Sequence, residues 1–101
     1  MQKKTLEMRN ERVRKIIEKE TEGKYSVFFR KSNDTNSYYY TISKGEARIT
    51  LRFSDHKANS GIKSFSLTKR VKPEAVHRYV RRRLKDLEVI NVNTLINQFC
   101  Y

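Results

Sequence analysis

Apolar and polar positions alternate along this chain with two different periods, and the switch between them divides it into parts. Residues 4–21 carry Leu6, Val13, Ile16 and Ile17 on one stripe at helical spacing. The remaining faces hold Arg9, Arg12, Arg14, Lys15 and Lys19 beside Glu7, Glu11, Glu18 and Glu20, with Glu11 and Lys15 at the four-residue spacing that supports an exposed helix. Gly23 is a helix stop. Period two then takes over. Lys24–Arg30 sets Tyr25, Val27 and Phe29 against Ser26, Phe28 and Arg30. Residues 31–36 (KSNDTN) are turn chemistry, and Ser37–Ile42 places Tyr38, Tyr40 and Ile42 on one face and Tyr39 and Thr41 on the other. Residues 43–46 (SKGE) read as a hairpin connection. Ala47–Phe53 alternates most cleanly: Ala47, Ile49, Leu51 and Phe53 against Arg48, Thr50 and Arg52. A polar loop follows over 54–61, and Ile62–Leu67 has room for a short fourth strand.

Helical spacing returns at Pro73, a residue suited to a first helical turn, with Val76, Tyr79, Val80, Leu84 and Leu87 as the apolar stripe of a helix over about 73–87. Val89–Val92 admits a short strand, and Asn93 a cap for a final short helix carrying Leu95, Ile96 and Phe99. A docked stripe is the ordinary use of those three residues; a dimer or partner contact is the alternative. The expected fold is α+β: one domain, a small antiparallel sheet of three to four strands with helices on one face, the helical segments lying before (1–23) and after (68–101) a sheet region (24–67).

Composition narrows the class. The 101 residues suffice for one core only. Five Phe and six Tyr supply bulk for that core despite an apolar fraction of 37%. Lys and Arg number 23 against 11 Asp and Glu, a net charge of +12, more than solubility requires and suited to a polyanionic partner. No apolar run approaches a membrane span, and the first fifteen residues lack the apolar centre of a signal peptide, so the expectation is a cytoplasmic protein that does not enter membranes. The single cysteine, Cys100, excludes an internal disulfide and a cysteine-based zinc site, and no spacing of ligands suggests a metal or cofactor.

The positive charge is densest from Lys69 to Lys85, whereas residues 89–101 carry none. On a helix, Arg78, Arg81, Arg82 and Lys85 form one ridge, approached by Lys69, Arg70 and Lys72; it suits phosphates, or is a solvated face of a basic protein. A second candidate is the outer sheet face with Arg30, Tyr39, Arg48, Thr50 and Arg52, where alternating aromatic and basic side chains suit single strands, unless a helix covers it or it is an ordinary polar exterior. Ser54, Asp55 and His56 have the residue types of a hydrolase triad, but neighbours in a turn do not build one. His56 and His77 are the only candidates for ribonuclease acid–base chemistry, and nothing in the sequence joins them. The chain is read as a binding protein, not an enzyme.

One stretch carries a family resemblance. Residues 51–59 (LRFSDHKAN) have the form apolar-Arg-apolar-Ser-Asp-His-x-Ala, which resembles a segment of the type II-A anti-CRISPR proteins of streptococcal phages. The likeness continues through the amphipathic helix, the segment INVNTL at 90–95 and the Cys100–Tyr101 pair, about half of the chain in the same order. It implies a phage or mobile-element inhibitor of a type II CRISPR effector nuclease in the bacterial cytoplasm, acting on the nuclease, its guide RNA or their complex, as a monomer or homodimer. Arg52, Ser54, Asp55 and His56 carry over as motif positions, and His56 and Lys57 join Arg48 and Arg52 as candidate contacts; the motif is alternatively fold-determining, with Arg52 paired to Asp55. The charge excludes acidic mimicry of DNA as the whole mechanism. The other reading is a small DNA-binding accessory module of a mobile element, a sheet-plus-helix domain like the arm-binding domains of tyrosine integrases, in which Arg48 and Arg52 matter most.

Overall fold

A computed structural model describes residues 3–55, 64–68 and 72–99. Helix α1 (Lys3–Thr21) leads into β1 (Ser26–Ser32), β2 (Ser37–Lys44), β3 (Ala47–Ser54), β4 (Ser64–Ser66) and helix α2 (Pro73–Phe99). The four strands lie in the sheet in chain order. The expected α+β domain is therefore present, with two differences of detail.

The first concerns the sheet, which is mixed and not antiparallel throughout. β1–β2 and β2–β3 are antiparallel, but β4 runs parallel to β3, with Phe53 opposite Phe65. Two tight connections make the antiparallel pairs. Asn36 closes the first at φ 47°, and Gly45 occupies the left-handed region at φ 62° in the second, where a side chain would be strained. β4 begins with Ser64 opposite Arg52. Leu67 N–H then donates to Ser54 O at 2.7 Å.

The second is that α2 is one helix of 27 residues, without a strand at 89–92 or a new start at Asn93. No Gly or Pro interrupts residues 74–99, and extending an existing helix costs less than nucleating another. The Thr94 hydroxyl is absorbed by a bond to Ile90 O at 2.9 Å. A helix of this length spans about 40 Å, and the molecule is correspondingly long, 52 × 26 × 20 Å. Leu95 and Ile96 are not docked on the core: Val89, Val92, Leu95 and Ile96 are each 45–60% exposed. The stripe that faces the sheet through Val76, Val80 and Leu87 continues at helical spacing into Asn91 and Thr94, so the helix presents polar residues where it would otherwise dock.

Both helices cover the same face of the sheet. Leu6, Val13 and Ile17 of α1 and Val76, Tyr79, Val80, Leu84 and Leu87 of α2 are buried with Tyr38, Tyr40, Ile42, Ile49, Leu51 and Phe53 of β2 and β3. Aromatic edges lock the centre: Phe53 meets Tyr40 and Tyr79 in T-shaped contacts, each with ring centroids 5.7 Å apart. Asn10 sits within the α1 stripe and is 4% exposed; its Oδ1 accepts the Tyr40 hydroxyl at 2.8 Å, so both polar groups are satisfied inside the core. Burial pushes the Tyr40 hydroxyl well above the ordinary tyrosine range, so it stays a donor.

Candidate nucleic-acid interface

Because the side chains of a strand alternate, burying Tyr38, Tyr40, Ile49, Leu51 and Phe53 under the helices turns their neighbours to the opposite face. No described helix covers that face at Arg30, Arg48 and Thr50, which are exposed; Tyr39 and Arg52 are half-buried, and Ser37 and Ser54 at its end are buried. The register aligns Arg30 of β1 with Tyr39 of β2 and Tyr39 with Arg52 of β3. The Arg30 guanidinium carbon lies 4.6 Å from the Tyr39 ring centroid and that of Arg52 lies 6.0 Å away, so the ring is flanked by two cations. Arg52 is further fixed by donating Nε–H to Ser37 Oγ at 3.1 Å. One row along, Phe28, Thr41 and Thr50 are aligned; Phe28 is 67% exposed, and the two threonine hydroxyls are 3.4 Å apart. Arg48 is exposed one row further on, opposite Ser43, with no ion-pair partner among the described residues. The outward strand positions hold three arginines and no carboxylate.

The α2 ridge is more entangled with the fold than spacing suggests. Arg78, Arg81, Arg82 and Lys85 border a shallow trough of about 500 Å3 together with Glu74 and His77. Arg81, however, is held by Glu20 of α1 at 3.0 Å, and the same carboxylate oxygen lies 2.7 Å from His77 Nδ1. Burial of the Glu20 side chain opposes its ionisation, but hydrogen bonds from Arg81 and His77 outweigh it and hold the carboxyl below the ordinary range. Arg82 lies over the Tyr79 ring at 5.8 Å. Arg83 is 7% exposed and tied to Asp86 at 2.8 Å. Arg78, Arg82 and Lys85 remain exposed and lack an acidic partner among the described residues. Lys72 is exposed at the start of α2, away from this ridge. His56, Lys57, Lys69 and Arg70 lie outside the described residues.

The motif at 51–59 performs structural work where it is described. Leu51 and Phe53 are core residues, Arg52 anchors β3 to β2 through Ser37, and Ser54 is buried with its carbonyl bonded to Leu67. Asp55 accepts a hydrogen bond from Asn36 Nδ2 at 3.4 Å. A second cluster joins the far end of the sheet to α2: Tyr25 O–H donates to Glu88 Oε1 at 2.6 Å, and Lys44 Nζ reaches the same oxygen at 2.9 Å. Burial and the neighbouring Glu88 push the Tyr25 hydroxyl up to about 12. The bonds from Tyr25 and Lys44 hold Glu88 below the ordinary carboxylate range.

Sequence spacing identified the sheet face and the exposed ridge, but not Glu20, whose partners lie 57 and 61 residues away and leave no local signal. Among the described residues no group of three or more His, Cys, Asp or Glu is placed to hold a metal, and no helix is long and apolar enough to cross a membrane. No protein-family model, curated protein or solved structure matches this chain.

Proposed function

We propose that this protein binds single-stranded nucleic acid, RNA ahead of DNA, on the open face of its sheet. We further propose that it serves a phage or mobile element as an inhibitor of a type II RNA-guided DNA nuclease by engaging the guide RNA. The observation that carries the binding is Tyr39 flanked by Arg30 and Arg52 on a face whose described strand positions hold no carboxylate. Guanidinium planes and aromatic rings both stack on unpaired bases, and the arginines also neutralise phosphates. Thr41, Thr50 and Ser43 add hydroxyl groups that suit a ribose 2′-OH. The nuclease as target comes from the resemblance at residues 51–59 and in the C-terminal half. Cationic charge of +12 is coherent with it, because such nucleases expose guide-RNA phosphates.

Two measurements test this reading. Fluorescence anisotropy compares single-stranded RNA, single-stranded DNA and duplex DNA at one fixed salt concentration. Tighter binding of single strands, weakened by Tyr39→Ala, is expected; sequence-dependent preference for duplex overturns it in favour of an accessory module that lays β1–β3 in a major groove. A cleavage assay then titrates guide-loaded type II nuclease with the protein in the presence of excess carrier RNA. Loss of cleavage near stoichiometry is expected, and undiminished cleavage removes the inhibitor role for that nuclease.

A further inference from the structure

Between α1 and the start of α2 lies a groove of about 410 Å3, in the helical layer and so on the opposite side of the molecule from the open sheet face. The helices run side by side with Arg9 at Leu67 and Glu20 at His77 and Arg81, which ties them at the Glu20 end and leaves the groove at the other. Its floor is aliphatic: Ile16, Leu67, Pro73 and Val76. Its rim carries Arg9 and Arg12 on the α1 side and Lys72 on the α2 side, and among the described residues none that line it is acidic. Arg9 is positioned by donating to Leu67 O at 2.6 Å. The N–H groups of the first turn of α2 add positive potential at the same end. The acidic residue of that turn, Glu74, borders the trough with His77 and Arg78 instead.

We infer that this groove docks an acidic–apolar segment of a partner protein, one that lays aliphatic side chains on Ile16 and Pro73 and sets carboxylates against Arg12 and Lys72. Charge complementarity selects that occupant. The cations are distributed along both walls, so a single carboxylate, as on a fatty acid, satisfies only part of the rim, whereas a peptide supplies several at intervals. Nucleic acid fits poorly because, among the described residues, no aromatic side chain lines the floor to stack a base. The inference does not rest on the RNA reading, since the two surfaces share no residue.

The test uses the full chain and labelled synthetic peptides. One peptide contains leucine and glutamate at helical amphipathic spacing; the other replaces every leucine with serine at unchanged charge. The leucine peptide is expected to bind at least about tenfold tighter, a modest return for burying one or two aliphatic side chains. Arg12→Gln with Lys72→Gln, both exposed positions, is expected to weaken it about tenfold, and Ile16→Ser to erase the preference for leucine. Tyr39→Ala is expected to leave peptide binding unchanged while weakening RNA binding, which separates failure of one reading from failure of the other. Equal binding of the two peptides overturns the inference, because it reduces the effect to attraction by a chain of net charge +12. Indifference to the Arg12/Lys72 variant also overturns it, as does tighter binding of dodecanoate than of the leucine peptide in competition.

Discussion

Arg30 and Tyr39 are register partners across β1 and β2, and the guanidinium of the first lies 4.6 Å from the ring centroid of the second on the face the helices leave open. The pair makes no contribution to the core, so its placement is a surface property. Replacing Tyr39 by Ala is expected to lower affinity for single-stranded RNA by about tenfold, within the roughly 1–3 kcal/mol that a stacked base is worth. Tyr39→Phe keeps the ring and is expected to retain most of the affinity. Anisotropy titrations at one salt concentration, with thermal melts to confirm unchanged stability, check both.

Arg48 differs from Arg30 and Arg52 in lying over no ring and holding no partner among the described residues. A cation of that kind acts on phosphate alone. Arg48→Gln is expected to weaken binding of all RNA sequences alike and to reduce the slope of log affinity against log salt by about one. Titrations at several salt concentrations give the slope; an unchanged one removes Arg48 from the interface.

On α2, charge reversal separates structural from free cations. Arg81→Glu sets a second carboxylate against Glu20 and is expected to cost about 1 kcal/mol or more of stability. Arg78→Glu and Lys85→Glu are expected to stay within about 0.5 kcal/mol of the parent. Urea denaturation distinguishes them. Any assay of the ridge therefore belongs on Arg78 and Lys85, since a loss of function at Arg81 conflates binding with folding.

The Asn10–Tyr40 bond is buried on both sides, at 4% and 1% exposure. Tyr40→Phe leaves the Asn10 carbonyl without its donor in an apolar setting, a loss expected to cost about 1–3 kcal/mol. Equilibrium denaturation measures it. The double variant Tyr40→Phe with Asn10→Leu is expected to recover much of that loss, because it removes both polar groups together.

Tyr25 gives the fold an alkaline limit. Its hydroxyl ionises at about 12 in the folded chain against 10.0 for a free tyrosine, so the unfolded state releases this proton first. Stability from this group is complete below pH 10 and is lost as pH rises toward 12. Tyr25→Phe is expected to flatten that part of the stability–pH curve. Chemical denaturation across the alkaline range checks the sign: greater stability of the parent on going from pH 10 to 12 contradicts it.

Much of the fold was legible locally. The period-two runs of β2 and β3 predicted which side chains enter the core, since one buried face fixes all alternate positions. The stripe through Val76, Val80, Leu84 and Leu87 did the same for α2. Edges and ends were less legible. Val27 and Phe29 alternate like core residues, yet they are 39% and 41% exposed because β1 lies at the sheet edge, beyond full cover by the helices. The parallel direction of β4 left no local signal, and the continuity of α2 rested on the absence of any residue that stops a helix, while the β-branched Val89, Ile90 and Val92 pointed locally to a strand.

By itself the sequence determined the net charge, the two amphipathic helices, the central strands and the alternation that sends Arg48, Thr50 and Arg52 away from Leu51 and Phe53. These follow from periodicity, which acts between near neighbours. The sequence also pointed to helices on one face of the sheet; only the tertiary structure decided that Arg30, Tyr39 and Arg52 come together on the other, with Tyr39 and Arg52 half-buried, and that Glu20 binds His77 and Arg81. It likewise decided that Arg9 and Arg12 meet Lys72 around one groove. Each of these depends on which layer buries more apolar surface and on contacts between residues far apart in the chain, where no local spacing carries the information.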